Sequence, residues 1–414
     1  MIRLPLLAAA LLAGGAEAAA ASQTADEQPA SPQSSIADPP AADPAADGPA
    51  GQEADALPED VQEFAEATLD ATRLRFALNA FGDVSAFSRL AEDDDESATF
   101  SLGTFALLIN GELSDSLLGT AEVTFETDSD NEQEVSLERL HLAWQTPRFF
   151  LVAGRTHSDL GYWNTAFHHG AWLHLPIGRP RALRGEDAGG ILPIHWIGVE
   201  GGIRAGGFTL AGGVGNGRGD DEESIALETD TNDFKALKIK IEYVGLGWPD
   251  LRVGVGGLYD RIAPASLEIR PALPDEEIDE YIANAYVAYR GPALTLIAEA
   301  YSIWHRADDI ADEDETETFL TADAFAVIGY RIGRLTPYTQ IERTEARGDG
   351  IDPFYTPVPD MPTPSTPIDR TEWIVGARLD PSIWSAIKVE YRLARADASD
   401  SSDHTFAINW SFGI

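Results

Sequence analysis

The chain has 414 residues, enough for one large domain or two ordinary ones, and it contains no cysteine, which excludes a fold held by disulfides. Its 69 acidic residues outnumber 29 basic residues and give a formal net charge of −40 at pH 7. So negative a chain should repel nucleic acid, and no nucleic-acid partner is expected. Hydrophobic residues make up 44% of the chain, yet beyond the N-terminus no run of about 18 apolar residues predicts a membrane-spanning helix.

The N-terminus has the parts of a secretory signal peptide. Arg3 supplies a positive charge, residues 4–13 form a short apolar stretch, and Ala-Glu-Ala at positions 16–18 fits a cleavage site. The apolar stretch is too short for a transmembrane anchor, so we predict a signal peptide over residues 1–21. Residues 22–72 are rich in Ala, Pro and Asp and have few large apolar side chains, which predicts a disordered periplasmic linker with one short helix at most.

Apolar and polar residues alternate from residue 73 to the C-terminus. Leu237, Ile239 and Ile241, for example, alternate with Lys238 and Lys240. Because neighbouring residues of a strand point to opposite faces, each such segment has one apolar and one polar face. Roughly 16 segments of this kind follow one another, an even number, as bacterial single-chain barrels require.

The connections between the predicted strands alternate between short and long. The short ones lie near 110–116, 146–148, 204–206, 245–250, 290–292, 331–334 and 380–382. The long ones lie near 89–97, 128–133, 157–193, 216–233, 260–279, 305–317, 345–370 and 395–403. Outer-membrane barrels have short periplasmic turns and long external loops. We therefore predict an all-β fold over residues 73–414, a transmembrane antiparallel β-barrel of about 16 strands with both termini on the periplasmic side.

Aromatic residues form two groups along the predicted strands. Those that flank the short turns are Trp144, Phe149, Phe208, Tyr243, Trp248, Tyr289, Tyr330 and Trp384. Those nearer the long loops are Phe87, Phe100, Phe125, Trp196, Tyr259, Tyr281, Trp304 and Trp373. Amphipathic rings prefer the level of the lipid headgroups, so the two groups predict two interfacial belts.

The connection 157–193 differs in composition from the other long loops, which are mostly acidic. It combines aromatic rings and three prolines with charged side chains, and a solvated external loop rarely carries so many rings. We therefore expect an ordered loop. Its candidate functional residues are Arg179, Arg181, Arg184, Glu186, Asp187, His168, His169 and Trp172.

Six of the eight histidines lie between residues 141 and 195, and two interpretations of them stay open. The first is a metal site, for which imidazoles are common ligands. The second, which we favour, is that the histidines form hydrogen bonds within the loop. No pair has the spacing of ligands on one helix face, His168 and His169 point apart in an extended chain, and there is no cysteine. We therefore expect no metal ion and no cofactor.

The C-terminal strand places Phe406, Ile408, Trp410, Phe412 and Ile414 on one face. It resembles the assembly signal of outer-membrane proteins, although the last residue is Ile and not the commoner Phe. Together with the strand pattern and the loop order, it makes residues 73–414 resemble the bacterial porins. The resemblance implies the outer membrane of a Gram-negative bacterium, contact with its lipid and lipopolysaccharide, recognition of Phe406–Ile414 by the barrel assembly machinery, and a homotrimer.

In general porins the third external loop folds into the lumen, and the resemblance implies that 157–193 is such a constriction loop. Charges at a narrow point select permeants by sign. Two interpretations of the loop charges stay open: the arginines face Glu186 and Asp187 across or along the pore, or the charges pair with each other and with the wall. On the polar strand face we expect a lumenal basic wall. It comprises Arg73, Arg75, Lys238, Lys240, Arg252, Arg378, Lys388 and Arg392.

The expected function is that of a porin, a water-filled channel for ion transport and the passive diffusion of small hydrophilic solutes. The alternatives are an adhesin or receptor that acts through the external loops and, with less support, a barrel enzyme. His157, Ser158 and Asp159 are chain neighbours and cannot adopt the geometry of a catalytic triad. No G-x-S-x-G motif is present, and the glycines at 212–217 lack the lysine of a phosphate-binding loop. We therefore expect no enzymatic activity.

Overall fold

The structure is a computed structural model. It describes residues 75–90, 98–127, 133–167, 170–184, 190–218, 232–262, 277–308, 316–347, 352, 354, 369–397 and 402–414. The predicted signal peptide and linker lie outside these residues. Two compact units are distinguished along the chain, Met1–Ala71 and Thr72–Ile414, and every described residue belongs to the second.

Within the described residues, sixteen antiparallel strands form a closed barrel, as predicted. They are β1 (Arg75–Leu90), β2 (Thr99–Glu112), β3 (Leu117–Thr127), β4 (Gln133–Gln145), β5 (Phe149–His157), β6 (His195–Ala205), β7 (Phe208–Gly215), β8 (Ala236–Val244), β9 (Leu251–Ile262), β10 (Ile278–Arg290), β11 (Leu294–Asp308), β12 (Thr316–Tyr330), β13 (Leu335–Arg347), β14 (Arg370–Ser382), β15 (Ser385–Ala396) and β16 (Ser402–Gly413). Each strand pairs with its neighbours in the sequence, and β16 also pairs with β1.

The predicted terminal strand, β16, closes the barrel. It pairs with β1 from Phe81 opposite Gly413 to Leu90 opposite His404. The backbone N–H of Ala80 donates to the carbonyl of Ile414 (2.8 Å), and the N–H of Ile414 donates to the carbonyl of Ala80 (2.9 Å). Closure pairs the edges of the first and last strands with each other, so this sheet has no free edge.

The two faces of the wall differ as the alternation predicts. In β8, the side chain of Ile239 points outward and is 57% exposed, while Lys238 points inward and is 7% exposed. The outward face is apolar along most of the strands because every second residue is apolar. The inward face is mixed and carries carboxylates, lysines and arginines beside apolar side chains.

The connections at one end of the barrel span two to six residues, and those at the other end span five to 37. One of the two shortest consists of Gly206 and Gly207, which have φ of 57° and 87°, as a tight hairpin turn requires. Several predicted strand ends shift by a few residues. For example, β2 continues to Glu112, and β14 continues through 380–382 to a turn at 383–384. A register shift between Leu379 and Ser382 lets β14 and β15 stay paired there.

The outward aromatic residues lie near both ends of the strands. Phe100, at the long-loop end, is 83% exposed, and Trp248 and Trp384 at the short-turn end are also exposed. Trp196 is the exception to the predicted belts. Its ring is 1% exposed and lies inside the barrel, where the ammonium of Lys238 is 4.5 Å from the ring centroid.

The apolar core lies inside the barrel and not between layers of sheet. Side chains of the connection between β5 and β6 pack there against inward residues of β8 to β12. That connection contains α1 (Trp163–Ala166) and two short 3-10 helices, Ala171–Leu173 and Arg181–Leu183. Among the described residues, no helix is long and apolar enough to cross a membrane.

Candidate functional site

We call the connection between β5 and β6, residues 158–194, the inner loop. Its described residues, 158–167, 170–184 and 190–194, lie against the inward face of the barrel. In this loop, the ring of Trp163 is fully buried and contacts Phe325 edge to face, with 5.5 Å between ring centroids. Tyr162 packs on Tyr286 at 6.1 Å. We call five of the inward apolar residues of β10, β11 and β12 the apolar wall. They are Ile282, Tyr286, Ile297, Phe325 and Val327.

Carboxylates of the barrel accept hydrogen bonds from the loop backbone. The bonds are Tyr162 N to Glu299 Oε2 (3.1 Å), Trp163 N to Glu299 Oε1 (2.6 Å), Ile177 N to Glu390 Oε1 (2.5 Å) and Arg181 N to Glu342 Oε2 (2.9 Å). A loop enclosed in a protein needs partners for its backbone amides, and these charges supply them. The inner loop is thus positioned by its backbone as well as by its rings.

Cations of the barrel bind the loop carbonyls in the same way. The ammonium of Lys388 donates to the carbonyls of Ala171 and Pro176, at 2.7 Å for the second. Arg378 donates to the carbonyls of Trp172 (2.6 Å) and His174 (3.1 Å). These two cations and three further inward groups of β13 to β15 form what we call the charged wall. It comprises Glu342, Arg378, Lys388, Glu390 and Arg392.

The two ends of the inner loop are joined to each other. The N–H of Ser158 donates to the carbonyl of Ile194 at 2.8 Å. The side-chain amide of Asn164 donates to the carbonyls of Ser158 (2.8 Å) and Ile194 (2.9 Å), and its oxygen accepts from the guanidinium of Arg179 (2.5 Å). The loop therefore begins and ends at nearly one point of the wall.

Asp159, at the start of the loop, is bound to the wall through an ion pair. Its carboxylate lies 2.8 Å from the ammonium of Lys238, which also lies 2.6 Å from Glu200. Burial alone would raise the pKa of Asp159, but Lys238 and Lys240 together hold it below its usual value. The carboxylate stays ionised, and the pair is maintained.

His174 is enclosed by rings of the loop. Its ring centroid lies 5.3 Å from that of Trp163 and 6.0 Å from that of Phe167. Burial and the neighbouring Lys388 lower the pKa of His174 well below its usual value, so the imidazole is neutral.

The three arginines predicted at the constriction have different neighbours in the structure. Arg179 binds Asn164, and Arg184 lies 4.0 Å from Glu372 of β14, with its side chain 31% exposed. Burial and the neighbouring Arg370 lower the pKa of Arg181 below its usual value. His168, His169, Glu186 and Asp187 lie outside the described residues, so the predicted opposition of Glu186 and Asp187 to the arginines stays a prediction.

Trp172 lies over the seam between the first and last strands. Its ring stacks on Phe81 of β1, with 6.4 Å between centroids. A Cβ added at Gly413 of β16 would lie 2.7 Å from the ring, so glycine is required there for this contact. Trp172 is thus a packing residue between the loop and the wall.

The residues predicted as a basic wall are distributed over the barrel, and most lie beside a carboxylate. The pairs are Arg75 with Glu112 (3.6 Å), Lys238 with Asp159 and Glu200, Arg252 with Glu242 (3.2 Å), Arg378 with Asp380 (2.8 Å) and Arg392 with Glu390 (2.7 Å). Lys240 lies 5.6 Å from the ring centroid of Tyr286. Arg73 lies outside the described residues. The inward cations are therefore part of a mixed network of both signs.

Sequence reasoning missed the wall carboxylates, above all Glu299. Glu299 accepts bonds from residues 136 and 137 positions away, and no local motif records such a contact. A signal was nevertheless present. Glu299 stands between alanines in an otherwise apolar strand segment, and a buried carboxylate needs hydrogen-bond donors.

A second inward network lies near the long-loop end. The guanidinium of Arg218 contacts Glu280 through Nε (3.0 Å) and Nη2 (2.8 Å), and the N–H of Arg218 donates to Asp260 (2.8 Å). His305 lies between Glu280 (3.0 Å) and Asp352 (2.7 Å). Residues 218 and 352 follow β7 and β13, so the network brings parts of two long connections to the wall.

A cavity of about 320 Å³ lies between the inner loop and the short-turn end of the barrel. Loop rings line one side of it, including Phe167 and Trp172. Arg290, Arg331 and Arg378 lie on the other side, with Asp380 as a counter-charge. The cavity is thus amphipathic, with cations in excess among these charged residues.

Comparison with known proteins gives matches among solved structures only. No protein-family model and no curated protein matches this chain. The outer-membrane channel DcaP of Acinetobacter baumannii is 12% identical, with a TM-score of 0.59 over 82% of this chain and 97% of that one. The anion-selective porin of Comamonas acidovorans is 11% identical, with a TM-score of 0.56 over 83% and 100%. The chain has the porin fold.

A third similar structure is that of a trimer. It is the trimer form of OmpT from Vibrio cholerae, which is 13% identical, with a TM-score of 0.53 over 82% of this chain and 99% of that one. At identities of 11–13% these likenesses establish the architecture, and the predicted all-β barrel is confirmed.

Proposed function

We propose that this chain is a porin of a Gram-negative outer membrane, a water-filled channel through which ions and small hydrophilic solutes diffuse passively. The observation that carries the proposal is the inner loop, which is bound to the inward face of a closed barrel by backbone contacts to Glu299, Lys388 and Glu390. A barrel with an apolar exterior and a charged interior separates lipid from water. A loop within it reduces the cross-section of the passage.

The inner loop is the proposed constriction. Arg184 and Glu372 lie 4.0 Å apart at its edge, and Arg370 is 3.4 Å from the same carboxylate. Arg184 and Arg370 keep part of their side chains exposed. Charges of both signs beside a narrow passage favour permeants by sign and orientation. The other residues of the predicted constriction, Glu186 and Asp187 among them, belong to this proposal as candidates.

Conductance across a planar bilayer tests the proposal. The purified, folded protein should give discrete, ohmic steps in salt. Because Ser158 and Ile194 are hydrogen-bonded to each other, a short Gly-Ser turn can replace residues 160–192. This variant should conduct several-fold more per channel, and removal of residues 265–274 from another long connection is the matched control. A silent bilayer with the folded wild type contradicts the porin proposal.

The remaining partners follow from the same proposal. We place the barrel among outer-membrane lipid and lipopolysaccharide, with Phe406–Ile414 recognised by the barrel assembly machinery. A homotrimer is proposed by likeness to the OmpT trimer form. Chemical cross-linking in detergent should give a ladder that ends at three chains, and a ladder that ends at one chain contradicts the trimer without affecting the channel.

A further inference from the structure

Glu138, His157 and His195 form a buried cluster where the inner loop leaves and rejoins the wall. One ligand atom from each lies within 4.8 Å of the others. We propose that this cluster binds one divalent transition-metal ion, with Zn²⁺ as the best-fitting class. The proposed site does not depend on channel activity.

Strand pairing assembles the cluster. His157 ends β5 and His195 begins β6, and the two are directly opposite each other, with 5.4 Å between ring centroids. Glu138 comes from β4 at a β-bulge. Glu122 of β3 pairs with Arg139 and the next residue pairs with Leu137, so Glu138 is the extra residue. Bulges redirect a side chain and are frequent beside functional sites.

The donor set matches zinc chemistry. Two imidazoles and one carboxylate occur together in zinc sites, with bonds of about 2.0–2.2 Å. Nε2 of His195 and Oε2 of Glu138 lie 2.5 Å apart. Two ligand atoms of a tetrahedral zinc ion lie about 3.3–3.6 Å apart, so the two side chains would separate by about 1 Å when the ion binds. Water is available as a fourth ligand in such sites.

A hydrogen bond to the second carboxylate oxygen also orients Glu138. Its other oxygen, Oε1, accepts a hydrogen bond of 2.9 Å from the hydroxyl of Thr124 on β3. Groups that orient a ligand in this way raise metal affinity. Thr124, Glu138 and both histidines are buried, so the cluster is preorganised and shielded from bulk water.

Sequence spacing favoured hydrogen-bonded histidines because residues 138, 157 and 195 form no local motif. The barrel supplies the proximity that the spacing lacks. Because His157 and His195 flank the inner loop directly, a bound metal would join both ends of the loop to β4. The loop would then be fixed at its base by coordination as well as by the contacts of Asn164.

Metal binding to the full-length folded barrel tests the inference. The protein is treated with a chelator, desalted, and titrated with Zn²⁺ against a chromophoric competitor. We expect one ion bound per chain. Loss of a ligand-orienting group costs 10–100-fold in affinity, so His157→Gln, His195→Gln and Glu138→Gln should each cost about 100-fold or more. His141→Gln, on the same strand β4 but outside the cluster, should bind as wild type.

Two further measurements make the result decisive. Co²⁺ should give the visible absorption of a tetrahedral site in the wild type and lose it in His195→Gln. Thr124→Val keeps all three ligands and should weaken binding about tenfold. It provides the test if a ligand variant does not fold, and the heat-modified migration of each variant on a gel reports whether it is folded. Absence of Zn²⁺ binding to the wild type, or wild-type affinity in both His157→Gln and His195→Gln, overturns the site. Neither result bears on conductance.

Discussion

The apolar wall and the charged wall hold the same loop by different forces. The apolar wall buries the rings of Tyr162 and Trp163, and its contribution grows with the area removed from water. The charged wall binds backbone groups of the loop through Lys388 and Glu390, where direction matters more than area. The position and the orientation of the loop are therefore determined by separate parts of the barrel wall, which single substitutions can distinguish.

Trp163→Ala should cause the largest loss, because it removes a fully buried ring of the inner loop that packs on the apolar wall. Truncation of a buried Trp costs about 3–5 kcal/mol. We expect that loss in the free energy of unfolding, together with fluctuating conductance and rapid proteolysis within the loop. Urea unfolding in detergent measures the first effect. Trp384→Ala, on the exposed outer face, is the control, and an equal loss in both variants would contradict a role for the apolar wall.

Lys388→Met should cause a smaller loss through the charged wall. It leaves the carbonyls of Ala171 and Pro176 without their donor, at a cost of about 1–3 kcal/mol. The expected result is faster proteolysis near residue 176 with the barrel itself intact. Peptide mapping after brief digestion measures it, and Lys235→Met, at an exposed lysine, is the control. Cleavage at wild-type rate would mean that the apolar wall alone holds the loop.

Acidification should loosen the loop through His174. Its pKa in the folded state lies below the unfolded value of about 6.5, so below that value the unfolded chain binds the proton and the folded one does not. The contribution of the neutral His174 to the free energy of unfolding is therefore fully present above about pH 6.5, and it is lost as the pH drops towards the folded pKa. Proteolysis of the loop at pH 7 and pH 5 measures the change, which His174→Gln should abolish and His404→Gln should not.

Arg184→Ala should leave stability nearly unchanged and alter selectivity. The side chain is partly exposed and 4.0 Å from Glu372, so its ion pair is worth about 1 kcal/mol or less. Removal of its positive charge should shift the reversal potential in a salt gradient towards cations. Arg148→Ala, in a short turn, should show no shift. If both variants behave alike, Arg184 does not face the permeant.

The sequence predicted the strands of the barrel wall better than it predicted which residues lie inside the barrel. Alternation in β8 is enough to separate Ile239 from Lys238, because a strand has a fixed period of two. The grouping of aromatic residues by their distance from the loops misplaced Trp196 in an outer belt, because it did not use the strand face, and the ring lies in the interior. The predicted end of β14 was early because a local register shift is not visible in residue types.

Contacts between distant residues could not be predicted. Glu299 and Trp163 are separated by 136 positions, and only the closed barrel brings them together. The cluster of Glu138, His157 and His195 depends on a bulge and on cross-strand register, neither of which the histidine spacing records. Residue composition did identify 157–193 as unusual, because rings and prolines in a long loop indicate order.

The contact of Trp172 with Phe81 and Gly413 also has a consequence for the order of folding. The ring rests on the first strand and the last, so its binding surface is complete only when β1 and β16 have paired. Docking of the Trp172 ring in its observed place therefore requires the closed seam. A chain stalled before closure would lack the surface on which this ring rests.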